Sequence, residues 1–201
     1  MISVKDRIID YIAAFAVFLM MEWEDIKDIL KTVVVTFITC FLISTFFLKP
    51  VMVQGSSMYP TIKDGSVGFS SIVTRNIRGI ERFDIVVIRL DSKKEDLIKR
   101  VIGLPGETVE FKNDQLYING ELYDQDFLNS EYVEQEKKRT SSGLFTSDFS
   151  FTLGEDEYFC MGDNRIVSAD SRLYGPFSSK KIKSVGILVL FPFSEFGFIN
   201  K

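Results

Sequence analysis

In Leu97-Ile98-Lys99-Arg100-Val101-Ile102-Gly103-Leu104-Pro105-Gly106, residues 97 to 102 alternate with period two and then meet a Gly/Pro turn. That is the pattern of a strand. In a strand, Leu97, Lys99 and Val101 share one face, while Ile98, Arg100 and Ile102 share the other. Similar stretches lie on either side. Phe83-Asp84-Ile85-Val86-Val87-Ile88-Arg89 is short and β-branched, Thr108 to Lys112 and Gln115 to Asn119 bracket Asn113-Asp114 as a hairpin turn, and Ile182 to Phe191 closes the series. Separated by Gly, Pro and Asn/Asp turns, these stretches predict a mainly β domain built from antiparallel sheets. The polar region from Tyr123 to Ser150, with Ser141-Ser142-Gly143 inside it, reads as a mobile insertion.

The other end of the chain has a different texture. Thr32 to Leu48 carries no charge and is bracketed by Lys31 and Lys49. As a helix it reaches about 26 Å, close to the roughly 30 Å hydrocarbon core, and the lysines can snorkel to the headgroups. No small-x-small cleavage pattern follows, so the expectation is an uncleaved transmembrane anchor at 32–48 rather than a removed leader. Tyr11 to Met21 is a shorter apolar stretch, read either as interfacial or as a second, marginal span. Met20 and Met21 are alternative starts. Lys27 and Lys31 ahead of the anchor against Lys49 beyond it favour an inside N-terminus. The expected organisation is a cytoplasmic or interfacial segment at 1–31, a single anchor at 32–48 and an extracytoplasmic domain at 49–201.

Composition excludes several classes. The net charge of −4 across 201 residues offers no basic stripe for phosphates, so no nucleic-acid partner is expected. Lys137-Lys138-Arg139 stands beside Glu134 and Glu136 as a solvated cluster. The two cysteines, Cys40 and Cys160, fall inside and far outside the apolar run and are not expected to pair. No metal site or cofactor is implied.

The chain contains no histidine. Ser-His-Asp triads, Cys-His pairs and histidine shuttles are therefore out of reach. Gly55-Ser56-Ser57-Met58-Tyr59-Pro60-Thr61, just beyond the apolar run, offers Ser57 as a nucleophile. Such a serine needs a base, and without histidine the base is a carboxylate or a lysine made neutral by its surroundings. A lysine in water has a pKa near 10.4, and burial lowers it. Lys99, walled by aliphatic neighbours on its strand face, fits; the alternative is a surface lysine on an edge strand. Gly55, Met58 and Pro60 are the candidate substrate-binding residues, with Gly55 letting a backbone approach and Pro60 stiffening the turn. The Ser57 N–H is the candidate oxyanion donor. A third constellation, Gly162-Asp163-Asn164-Arg165-Ile166-Val167-Ser168-Ala169-Asp170-Ser171-Arg172, alternates charges and reads either as a hydrogen-bonded network or as a polar surface turn.

Taken together and in this order, the three stretches resemble the type I signal peptidases, membrane-anchored Ser/Lys proteases that release exported proteins. Ser57 to Thr61 is similar to the family's serine box, Lys99 to Gly106 to its lysine box, Gly162 to Arg172 to its terminal box, and Phe83 to Val87 to an intervening strand box. The resemblance implies that Ser57 attacks the scissile carbonyl, that Lys99 is general base and later proton donor, and that Ser168 orients the Lys99 amine. It implies structural ion pairing for Arg100, Asp163, Asp170 and Arg172. Gly55 stands where some relatives carry a serine hydroxyl as second oxyanion donor, and has no side chain to offer. The implied partners are signal peptides of preproteins, the lipid bilayer and the secretion translocon, and the implied location is the bacterial cell membrane. The implied substrates carry small residues, alanine above all, at the first and third positions before the cut. Leu48 and Ser57 are joined by at most about 30 Å of extended chain, which agrees with cleavage near the outer membrane face.

Three other readings remain. A self-cleaving repressor carries Ser and Lys but also a DNA-binding domain and no span. A non-catalytic membrane-anchored chaperone or assembly factor could keep the fold, and an anchored β adhesin would leave the boxes as coincidence.

Overall fold

The structure, a computed structural model, describes residues 4–201, with the side chains of residues 4–8, 21, 22, 43, 45 and 46 outside the description. The chain divides into Met1–Phe46 and Phe47–Lys201. In the first unit, helix α1 runs from Val4 to Phe47. Neither Gly nor Pro interrupts that stretch, so nothing in the sequence breaks the hydrogen-bond ladder where 1–31 was expected to give way to an anchor. Leu48, expected as the last anchor residue, instead opens the first strand. Among the described residues no helix is long and apolar enough to cross a membrane. Three side chains of the expected span, at 43, 45 and 46, lie outside those residues. The apolar side chains of α1 that are described, such as Phe37, Ile38 and Phe41, are exposed.

The second unit is built of antiparallel strands, as expected. The larger sheet contains β1 (Leu48–Met52), β2 (Val67–Ser71), β3 (Ile85–Leu90), β4 (Glu95–Gly103), β9 (Glu157–Met161), β10 (Phe177–Ser178), β11 (Ile182–Phe191) and β12 (Gly197–Ile199). Its order is β1-β2-β11-β3-β4-β9-β10, with β12 also on β11. The smaller sheet, β7-β6-β5-β8, comprises β5 (Thr108–Lys112), β6 (Gln115–Ile118), β7 (Glu121–Tyr123) and β8 (Phe149–Thr152). Short helices α2 (Ile72–Ile77), α3 (Ser130–Lys137) and α4 (Ser171–Tyr174) fill the connections.

Burial explains the sequence texture. Ile85 to Ile88 are buried on both faces of the sheet, hence an unbroken β-branched run where a half-exposed strand would alternate. On one face Ile85, Val87 and Ile98 pack with Val51, Val53, Met58 and Ile62; on the other Val86, Ile88 and Val101 pack with Cys160, Ile182 and Val185. A third cluster joins Val109, Phe111, Leu116 and Ile118 of the small sheet to Ile102, Phe159 and Met161. Gly186 has φ +69 at a register shift in β11, and a Cβ there would stand 2.6 Å from Phe198. It is a bulge that only glycine fills. Both cysteines are free.

The polar region 123–150 holds α3, capped by the Asn129 side chain, and is tied to the β5–β6 turn. There the Asp114 carboxylate accepts the N–H groups of Phe145 and Thr146, at 2.8 and 2.7 Å.

Candidate active site

The serine stretch forms a tight turn after β1. Ile62 N–H donates to Met58 O at 2.9 Å and Tyr59 N–H to Ser56 O at 3.1 Å, while buried Met58 and Ile62 pin the turn to the core. Ser57, just ahead of Met58, is half-buried. The strand alternation of β4 turns Lys99 toward it: Lys99 Nζ donates to Ser57 Oγ at 2.7 Å. Lys99 is 2% exposed. Burial lowers its amine to about 8, against the opposing pull of Asp170, Cys160 and Asp163.

Residues 162–172 close over this pair. Asn164 donates its backbone N–H to Ser57 O at 3.0 Å and its Nδ2 to Ser56 O at 3.1 Å. Asp163 takes the Arg100 guanidinium in a two-pronged grip and also accepts from Thr61 Oγ1 at 2.6 Å. Arg100 adds a bond to Phe83 O and lies over the Phe127 ring. Asp170 accepts from Gly162 N–H and from Arg172. Although burial opposes it, the Arg172 guanidinium holds the Asp170 carboxyl below its ordinary value. Gly162 is forced by proximity, since a Cβ there would lie 2.2 Å from Ser168 Oγ and 2.3 Å from Ser57 O. The polar stretch is thus a buried network and not a surface turn.

Two expected placements differ. The Ser168 hydroxyl is buried and, among the described residues, makes no hydrogen bond to Lys99. It lies against Gly162 and near enough to Asp170 to favour that group's charge. Of the expected substrate residues only Met58 lines the cleft beside Ser57 and Lys99. Gly55 and Pro60 are not in its lining, and the Gly55 N–H is turned to Asp64 at 2.7 Å.

The cleft encloses about 360 Å³ between Lys49–Gln54 and Glu95–Lys99. Sequence reasoning missed most of its lining. Val51 and Val53 both pack in the core and line the cleft, a double role that nothing in the local sequence marks. Asn164 was also passed over, because its two bonds to the serine turn are contacts between residues far apart in sequence. Arg165, 2% exposed, lies over Phe111 and donates to Thr146. Burial brings its guanidinium down to about 10. Among the described residues no group of His, Cys, Asp or Glu could hold a metal ion.

The chain is similar to known proteins over most of its length. A "Signal peptidase I P" of Bacillus subtilis subsp. natto is 40% identical over 173 residues, 84% of this chain and 91% of the relative. A "Signal peptidase IB" of Staphylococcus aureus is 34% identical over 179 residues, 86% of this chain and 93% of the relative. A crystal structure of a signal peptidase I from Enterococcus faecalis is 36% identical, with a TM-score of 0.46, covering 53% of this chain and 95% of that one. The model of the family "Signal peptidase, peptidase S26" matches residues 26–191, which include Ser57, Lys99 and the whole polar network, and the chain belongs to that family.

Proposed function

We propose that this protein is a signal peptidase I, a serine endopeptidase that cuts N-terminal signal peptides from exported preproteins with Ser57 as nucleophile and Lys99 as base. The observation that carries this reading is the 2.7 Å contact between Ser57 Oγ and a buried Lys99 amine in a chain without histidine. Neutral Lys99 takes the Ser57 proton as Oγ attacks the scissile carbonyl, and the resulting ammonium returns a proton to the leaving amine. Water, activated by the same lysine, then releases the acyl group. The Ser57 N–H faces the developing oxyanion. Ser168 orients Lys99 by turning its hydroxyl toward the amine, a role supported by its burial beside Asp170, whose charge also acts on Lys99. Arg100, Asp163, Asp170 and Arg172 hold the frame.

Substrate enters as an extended strand. Among the described residues β1 pairs only with β2, and Glu95 to Lys99 pair only with β3, so two open backbone edges flank the cleft. A peptide can add to such edges while alternate side chains enter pockets. The residues entering there are small, in the Ala-x-Ala pattern that the family resemblance implies. The charge-free stretch 32–48 anchors the protein once in the bacterial cell membrane, with 49–201 outside the cytoplasm near the bilayer and the translocon.

Cleavage of an Ala-x-Ala precursor by the full chain in detergent tests the reading, beside Ser57→Ala and Lys99→Ala. Cleavage after the second alanine is expected, with each variant folded but slower by about 10⁴-fold or more. Undiminished activity in either variant would remove the pair from its role.

A further inference from the structure

The region 123–150 plays no part in the chemistry above, yet it reaches the serine turn. On α3 the Tyr132 ring meets the Tyr59 ring edge-on at 5.1 Å, and Phe145 backs it at 6.1 Å. Tyr59 is two residues from Ser57. The Tyr132 phenol also lies beside the Asn164 side chain. Asn164 is the residue that holds the carbonyls of Ser56 and Ser57. Its other side-chain atom, Oδ1, is buried and without a hydrogen-bond partner. An orphaned buried acceptor is costly and calls for a donor. Burial and Glu136 push the Tyr132 phenol up, against Arg139 and Asn164, which favours its protonated form. A second tie runs parallel: Arg165 donates to Thr146 Oγ1, whose own N–H is fixed by Asp114.

We infer that Tyr132 is a positioning residue for Ser57: its hydroxyl closes on Asn164 Oδ1 and stiffens the side chain whose Nδ2 holds the Ser56 carbonyl, next to the Ser57 N–H. The insertion helix is then a brace for the oxyanion geometry, and the inference rests on the Ser57/Lys99 reading above. The ring and the hydroxyl have separable jobs. The ring packs on Tyr59, and the hydroxyl acts through Asn164.

Tyr132→Phe keeps the ring and removes only the hydroxyl. With the Ala-x-Ala precursor, it is expected to lower kcat about five- to tenfold while KM stays within about twofold. In an Asn164→Ala background the same change should cost nothing further, because its route to Ser57 is already cut. Full kcat in Tyr132→Phe, or losses that multiply in the double variant, would overturn the inference. A readout independent of cleavage is amide exchange: Tyr132→Phe should speed exchange at Tyr59 and Ile62 and leave β3 unchanged. Unchanged exchange at both amides would overturn the brace even if Ser57 and Lys99 proved not to be the catalytic pair. Ser57→Ala in the same assay reports on that pair alone.

Discussion

Arg100 and Asp163 are joined by two hydrogen bonds, Nε to Oδ1 at 2.8 Å and Nη2 to Oδ2 at 2.7 Å, with both side chains fully buried. Arg100 is the neighbour of Lys99 on β4, and Asp163 the neighbour of Asn164. The pair therefore fastens the strand carrying the amine to the loop that holds the serine turn. Removing one partner strands the other's charge, a loss of about 3–5 kcal/mol, whereas replacing both by apolar groups costs far less. Asp163→Ala should lower the denaturation midpoint of the full chain in detergent more than Arg100→Met with Asp163→Leu. A double variant as unstable as the single one would show that the network, and not the pair, carries the stability.

On the proposed reading, the Lys99 amine, lowered by burial to about 8, sets the pH dependence. Only the neutral amine can take the Ser57 proton, so kcat/KM should rise about tenfold per pH unit below 8 and level off above it. Stability follows the same group with a definite sign. The folded value lies below the ordinary 10.5, so burial of the charged form costs stability throughout the range below about 8. That cost, on the order of 3 kcal/mol, fades as pH rises from 8 to 10.5. Lys99→Met should be inactive yet more stable than the parent chain at pH 7, with the gain shrinking toward pH 10.5. A flat rate profile between pH 6 and 9 would argue against Lys99 as the base.

Much of the domain could be read from local patterns. β11 spans Ile182–Phe191 as the sequence suggested, and Asn113-Asp114 makes the hairpin turn with φ of 51° and 65°. Alternation along residues 97–102 placed Lys99 beside Leu97 and Val101, the face that does bury its amine. β1 was less legible, since Lys49-Pro50 weakens any strand signal and the strand exists only by pairing with β2 at the sheet edge. The hold of Asn164 on the serine turn and of Tyr132 on Tyr59 leave no trace in local sequence. Each joins residues that only the assembled sheets bring together. The sequence of Phe191-Pro192-Phe193 and Phe196-Gly197-Phe198 leaves open core or an apolar surface resting on lipid, with core favoured, and these phenylalanines are largely exposed. Hydrophobicity alone does not say which side of a sheet faces water.

Gly162 offers a test of how tightly the nucleophile is enclosed. An added methyl would press on Ser57 O, a backbone atom already bonded to Asn164, and on Ser168 Oγ. The serine side chain can rotate away, but the carbonyl can move only with its turn. Gly162→Ala should therefore shift Ser57 by a few tenths of an ångström and cost on the order of 100-fold in kcat. Activity within about threefold of the parent chain would mean that the turn yields easily and that its fixed position matters little.

The exposed aromatic end of the large sheet should meet lipid. Met52, Val67 and Phe191 stand in register across β1, β2 and β11, and Phe193 packs edge-on against Phe191. Phe193 is 81% exposed, and Phe196 and Phe198 are also open to solvent. Contiguous apolar surface of this kind marks a contact site. The compact unit Phe47–Lys201 should float with neutral phospholipid vesicles, and Phe193→Ser with Phe196→Ser should weaken that association about tenfold or more, since each ring buried is worth about 1.5–3 kcal/mol. Charge points to the same driving force. With a net charge of −4 for the whole chain, attraction to anionic headgroups cannot be the main term, so binding should persist at high salt. Association that needs anionic lipid and vanishes at high salt would assign it to the lysines near 180–183 and leave the phenylalanines without a membrane role.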